Sequence, residues 1–291
     1  MTGKLSYAIN ELLGRNSPGR RFTIFEDDVF VTSYPKSGNT WTRFLIANLI
    51  YPQEPVTFLN IGQLLPDPEW QSRNILANCP RPRVIKSHHP FDPRYKKVIF
   101  IVRDPRDIVL SQHHFQIKRG VVEPGASIHE FVPRFIEGQT SDYGSWGQNV
   151  GSWLIARHNT PGFLLLRYED LLDRPIGELA KIATFLDLDR NREQLARAVE
   201  LSSADHMRRL ETEQAAKWIV TKATRKDMPF MRSAKAGGWR GALPEESVAQ
   251  IEAAWGKLMR ALGYELVTPT QGMVERNHLL DLVEYSLGGR N

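Results

Sequence analysis

The sequence predicts an α/β fold, a single domain in which a central parallel sheet is flanked by helices. Three observations carry this reading. Four short runs rich in β-formers, Val29–Tyr34, Arg83–Ser87, Val98–Val102 and Phe163–Arg167, are near-continuously apolar rather than alternating, as strands buried on both faces are. Helical patterns alternate with them over Thr40–Tyr51, Pro105–Lys118, Ser145–His158 and Ile176–Leu186, and two more, Leu243–Leu262 and Met273–Leu287, close the chain; that alternation is the mark of a parallel sheet. No internal repeat, low-complexity tract or linker interrupts the pattern, so residues 1–291 read as one domain, with roughly the first and last twenty residues peripheral.

Composition narrows the class. The chain has 291 residues, 41% hydrophobic and 24% charged, enough for a sizeable core. Its formal net charge of +5 is spread along the chain, which suits an anionic ligand and not the concentrated basic stripe of a nucleic-acid binder. The lone cysteine, Cys79, excludes an intramolecular disulfide and fits a reducing compartment. The opening MTGKLSYAINELLGRN is amphipathic and lacks the apolar region of a signal peptide, and no stretch reaches the roughly 18 apolar residues of a membrane span. The expectation is a soluble, cytoplasmic protein.

The first strand, Val29–Tyr34, turns through Pro35-Lys36-Ser37-Gly38 directly into a helix opened by Asn39 and Thr40. Amides at a helix start are unpaired and partly positive, Gly38 lets the backbone approach a ligand, and Lys36 adds a mobile cation. These are the parts of an anion cradle, although the G-x-x-x-x-G-K-[ST] spacing of an ATP or GTP loop is absent. Trp41 follows at once, either a flat surface for a purine or a core residue.

Proline-rich Tyr51–Pro82 reads as a loop, and the second strand ends in Arg-Val-Ile-Lys-Ser-His-His-Pro. Side chains alternate faces along a strand, so Lys86 and His88 project to one side and Ser87 and His89 to the other. Beyond the third strand, Asp104 is a natural N-cap and Pro105 fits the first helical position. Asp107 completes a cap-like pair. Arg103 then sits at the strand's carboxyl end, with Ser111 about 10 Å along the helix. An arginine fork plus a hydroxyl suits a phosphate dianion; an Arg103–Asp107 surface pair is the plainer reading. Lys118–Ala126 and Thr212–Gly241 read as loops or lids.

Together these segments resemble the sulfotransferases that use 3′-phosphoadenosine 5′-phosphosulfate (PAPS), with similarity running from about Phe30 to Arg240. Pro35-Lys36-Ser37-Gly38-Asn39-Thr40-Trp41 is similar to that family's 5′-phosphosulfate loop, Arg103 and Ser111 to its 3′-phosphate segment R-[DN]-x-x-D-x-x-x-S, and Lys86-Ser87-His88 to its K-[TS]-H-x-P. The resemblance implies a P-loop-like domain and His88 as general base, with His89 a bystander. Lys36 would stabilise the leaving phosphate and Lys86 the transferring oxygens. Tyr168, at the end of the fourth strand, would reach the adenine, with Ser203 nearby.

The late Phe-Met-Arg-Ser-Ala-Lys-Ala-Gly-Gly-Trp-Arg-Gly is similar to F-x-R-x-G-x-x-G-D-W-[KR]. Arg232, Ser233 and Ala234 would join the 3′-phosphate site. The departures from the family are Ser233 for a usual lysine, Ala234 for a glycine and Gly238 for an aspartate. Ala234 is unstrained only at negative φ, and loss of the lysine predicts weaker or rebalanced 3′-phosphate binding.

The implied reaction moves a sulfuryl group from PAPS, with 3′-phosphoadenosine 5′-phosphate (PAP) as product, to a hydroxyl or amine of a small-molecule acceptor, with no metal required. An ATP- or GTP-dependent phosphotransferase and a non-catalytic nucleotide-binding module are the alternatives. Phe58, Trp70, Phe91, Phe115, Phe135, Tyr143 and Trp146 are candidates for an aromatic-lined acceptor pocket, pointing to an aromatic or lipid-like alcohol. Arg240–Glu252 has no clear match to the family's dimer motif.

Overall fold

Every strand of the sheet is apolar on both sides because both sides are covered. The computed structural model describes residues 22–269, so the expected helix Met273–Leu287 and the amphipathic N-terminus lie outside the described residues. The strands are β1 (Val29–Ser33), β2 (Val84–Ser87), β3 (Lys97–Val102) and β4 (Phe163–Arg167), all within a residue of the expected runs. They form one parallel sheet in the order β2-β1-β3-β4.

The period-2 alternation divides β3 between two cores. Val98, Phe100 and Val102 enter one core, and Ile99 and Ile101 the other. Phe30 of β1 joins the first, and Val29 and Val31 the second. Such burial on two faces is why no polar alternation marks these strands.

The helices are α1 (Asn39–Ile50), α2 (Ile61–Leu64), α3 (Arg73–Asn78), α4 (Pro105–Lys118), α5 (Ile128–Ile136), α6 (Trp146–Arg157), α7 (Tyr168–Asp173), α8 (Pro175–Phe185), α9 (Arg192–Leu201), α10 (Ala204–Gln214) and α11 (Glu245–Ala261). Helices α4, α5, α6 and α11 contribute to the first core, α1, α8, α9 and α10 to the second. Asp104 caps α4 by accepting from the Arg106 amide, with Pro105 at the first helical position, as the sequence predicts. Ser145 and Gln148 close a capping box on α6.

Helices α2 and α3, which lie inside the Tyr51–Pro82 segment expected to be a loop, and α5, α7, α9 and α10 were not expected. In α5, Pro133 reads as a break, yet Phe131, Val132 and Phe135 bury one face. Helix α10 is so polar that only Met207 and Glu211 are buried. Asp107 does not join the cap of α4: its carboxylate accepts from the amides of Gly237 (2.7 Å) and Trp239 (3.0 Å). Arg106 beside it is fully buried, paired with Asp104 (2.7 Å) and Glu252 (2.5 Å), and its guanidinium lies 3.8 Å from the Trp239 ring. The start of α4 thus fastens the late glycine-rich loop above the sheet's carboxyl edge.

Candidate active site

Four strand ends deliver the site. Beyond β1, the turn at Lys36 (φ 69°) and Gly38 (φ 94°) points the chain into α1. Gly38 stands at the N-cap and no side chain caps the helix, so the opening amides of Asn39, Thr40 and Trp41 have no intrahelical partner. A Cβ on Gly38 would fall 2.4 Å from the Tyr168 ring, so only glycine fits under that ring. The Ser37 hydroxyl is buried and makes no hydrogen bond among the described residues. Asn39 contributes only its backbone, because its side-chain amide donates to Val31 O (3.1 Å) and Ser33 Oγ (3.2 Å). The Trp41 indole donates to Ser202 O and meets Tyr168 edge-on.

Lys36 has no carboxylate ion-pair partner among the described residues. Its ammonium lies 4.2 Å from the ring centroids of both Phe115 and Phe230, a desolvated cation–π setting. Burial lowers its pKa to about 7, helped by Arg103 and Lys118 and opposed by Glu211.

Beyond β3, the buried Arg103 donates to the carbonyls of Lys36 (3.1 Å) and Lys235 (3.0 Å) and covers the Tyr168 ring at 4.3 Å. Among the described residues its Nε makes no hydrogen bond, and neither do Nε and Nη2 of Arg232. Burial and then Arg103 lower the Arg232 pKa. Two neighbouring guanidinium groups with buried, unsatisfied N–H donors are unfavourable by themselves; a phosphate dianion supplies both the acceptors and the charge. The Arg103–Asp107 approach is 3.9 Å and buried, not a surface pair.

The residues around Arg232 depart from expectation. Ala234 adopts φ 53°, left-handed backbone that a Cβ disfavours by about 1–2 kcal/mol, instead of the expected negative φ. Asp107's grip on Gly237 and Trp239 keeps the loop in this shape. Arg208 of α10, ion-paired with Asp205 (3.1 Å), donates to the Ser233 carbonyl (3.1 Å). Ser203 is exposed and caps α10 through the His206 amide.

Beyond β2, His88 Nδ1 lies 2.7 Å from the Ser33 carbonyl. A carbonyl only accepts, so Nδ1 carries the proton and Nε2 keeps its lone pair. Burial and the nearby Lys86 push its pKa well below the usual value, leaving a neutral imidazole. His89 is buried, with its ring 5.2 Å from that of Tyr143, and its carbonyl accepts from the Trp153 indole. Lys86 is bound to Asp67 (2.9 Å) and Glu69 (3.4 Å), so two of its three N–H groups are engaged with carboxylates. The Tyr143 ring stands 5.5 Å from His88; burial first, and then the nearby Glu69 carboxylate, raise the pKa of its hydroxyl.

Residues 26–263 match a family model described as the sulfotransferase domain. The chain belongs to the sulfotransferase family. It is a transferase that passes a sulfuryl group to small-molecule acceptors, so the phosphotransferase and non-catalytic alternatives fall away. Among curated relatives, sulfotransferase 1B1 of Mus musculus is 28% identical over 264 residues, covering 84% of this chain and 86% of the relative. Among solved structures, retinol dehydratase in complex with androsterone and inactive cofactor PAP aligns with TM-score 0.69 and 23% identity, over 86% of this chain and 84% of that one. Mouse sulfotransferase SULT7A1 complexed with PAP aligns with TM-score 0.66 and 23% identity, over 96% and 94%. These two alignments establish a shared P-loop-like fold.

Several participants in this sulfotransferase's site escaped sequence reasoning. Glu211, Asp67 and Glu69 come from segments without a motif. Phe115, expected in the acceptor pocket, and Phe230, the first residue of the late-loop motif, instead bracket Lys36 from two distant elements. Of the aromatic residues expected to line an acceptor pocket, Phe58, Phe135 and Trp146 are buried in the core, whereas Tyr143 stands beside His88.

Proposed function

We propose that this sulfotransferase uses PAPS as donor and a small hydroxyl or amine compound as acceptor, with His88 as general base. One observation carries the reading: the Nδ1–H···O=C bond to Ser33 fixes the tautomer that presents a free Nε2. The donor, when bound, supplies the sulfuryl group, and the protein's residues supply position and charge.

The amides opening α1, with Ser37, Gly38 and Thr40, hold the 5′ end. Arg103, Ser111 and Arg232 hold the 3′-phosphate, assisted by Ser233 and Ala234; their orphaned donors fit a dianion. Tyr168, Trp41 and Ser203 flank the adenine. His88 Nε2 takes the acceptor's proton. Lys36, leaving its two phenyl rings, neutralises the leaving phosphate, and Lys86 contributes its third N–H to the transferring oxygens. Tyr143 beside the base supports an aromatic or lipid-like acceptor. Among the described residues no helix is long and apolar enough to cross a membrane; with its single cysteine, the chain fits a cytoplasmic setting.

The test is a screen of phenolic, steroid-like and amine acceptors with sulfur-labelled PAPS, run on the natural protein and on His88→Ala. Transfer by the natural protein and its near-loss in the variant are expected. A fully active variant would remove His88 from the mechanism.

A further inference from the structure

We infer that Glu211 is a positioning residue for the donor site: its buried carboxylate holds the Phe230–Met231 backbone so that Phe230 sits on Lys36 and Arg232 sits beside Arg103. The inference rests on the assignment of Lys36 and Arg232 to the donor.

Glu211 lies on the inner face of α10 and is only 6% exposed. It forms no ion pair among the described residues. Instead one carboxylate oxygen accepts from the Phe230 amide and the other from the Met231 amide, the latter at 3.1 Å. These are the two residues directly before Arg232. On the far side of Arg232, Arg208 of the same helix donates to the Ser233 carbonyl (3.1 Å). Helix α10 therefore grips the chain on both sides of Arg232. The polar sequence of this helix is explained in the same way, since its buried polar group serves a neighbouring loop.

Two consequences follow for the donor. Phe230, held by Glu211, is one of the two rings on the Lys36 ammonium. The helix also begins at Ser203, and eight residues separate that cap from Glu211, about 12 Å along the axis. One rigid helix thus spans from the adenine-side serine to the loop that carries Arg232.

Glu211 also balances charge. The groups facing Lys36 are Arg103, Lys118 and His114, all basic, and Glu211 is the acid that opposes them.

The test uses Glu211→Gln and Glu211→Ala. Glutamine keeps the shape and can accept only one of the two amide bonds, because its NH2 group confronts the other N–H; alanine accepts neither. Calorimetric titration with adenosine 3′,5′-bisphosphate is expected to show a dissociation constant raised about tenfold in Glu211→Gln and more in Glu211→Ala, while the apparent acceptor constant stays within twofold. The Lys36 titration in the ligand-free protein, followed by NMR of labelled lysines, is expected to shift in both variants. Bisphosphate affinity equal to the natural protein's in both variants, or an unmoved Lys36 titration in both, would overturn the inference. If the natural protein itself fails to bind the bisphosphate, the donor-site assignment falls and this inference with it. Natural binding with indifferent variants removes Glu211 alone.

Discussion

His88 donates its Nδ1 proton to the carbonyl of Ser33, 2.7 Å away at the end of the neighbouring strand. The bond ties the imidazole to the same turn that leads into α1, so the proposed base and the proposed donor loop share one support. Sequence alternation placed Lys86 and His88 on one side; the carbonyl of β1 decides which nitrogen works.

His88→Ala is expected to lower turnover by about 100-fold or more, with bisphosphate affinity kept. Because burial and Lys86 depress the His88 pKa, the imidazole stays neutral below the usual histidine range, and the acid limb of the rate profile is expected below about pH 6.5. The linkage has a matching sign. The unfolded chain binds more protons than the folded one below that pH, so this residue's share of stability is present above it and is lost as pH falls. Rate profiles of the natural protein and of His88→Ala check this; an acid limb centred at an ordinary histidine pKa would contradict it.

Lys36 predicts a proton-linked donor. With a pKa lowered to about 7, it loses charge in the free protein as pH rises through that value, and a bound polyanion raises its pKa again. Bisphosphate binding above pH 7 is therefore expected to take up a proton. Calorimetry in buffers of different ionisation enthalpy reads this uptake directly, and Lys36→Met is expected to abolish it.

Arg232 predicts a trade between stability and binding. Its Nε and Nη2 make no hydrogen bond among the described residues, and Arg103 repels it. Arg232→Ala is expected to hold or raise the melting temperature of the ligand-free protein while weakening bisphosphate binding at least tenfold, as loss of a charge-assisted pair implies. A large fall in melting temperature without the ligand would show that the side chain has a structural role instead.

Ala234 predicts a stabilising substitution. At φ 53° its Cβ is strained, and Ala234→Gly is expected to add about 1 kcal/mol or somewhat less, after the added freedom of the unfolded chain. Denaturant unfolding of the two proteins checks the sign. Unchanged or tighter bisphosphate binding is the accompanying expectation, because the backbone shape is retained.

The sequence by itself determined the strands, their parallel arrangement, the glycine turn into α1 at Pro35–Trp41 and the Asp104 cap. These depend on local chemistry: apolar runs, a glycine at a helix start and a proline after an aspartate. Tertiary structure alone decided the His88 tautomer, the aromatic bracket on Lys36, the carboxylates on Lys86, the turning of Asp107 to the late loop and the burial of Phe58, Phe135 and Trp146. Each joins segments far apart in the chain. The partner of a buried polar or charged group is chosen by what the fold brings within hydrogen-bond range, which no local pattern records. Helix α10 shows this most clearly: it is polar throughout, and its two buried residues acquire their meaning only from the loop and core packed against them.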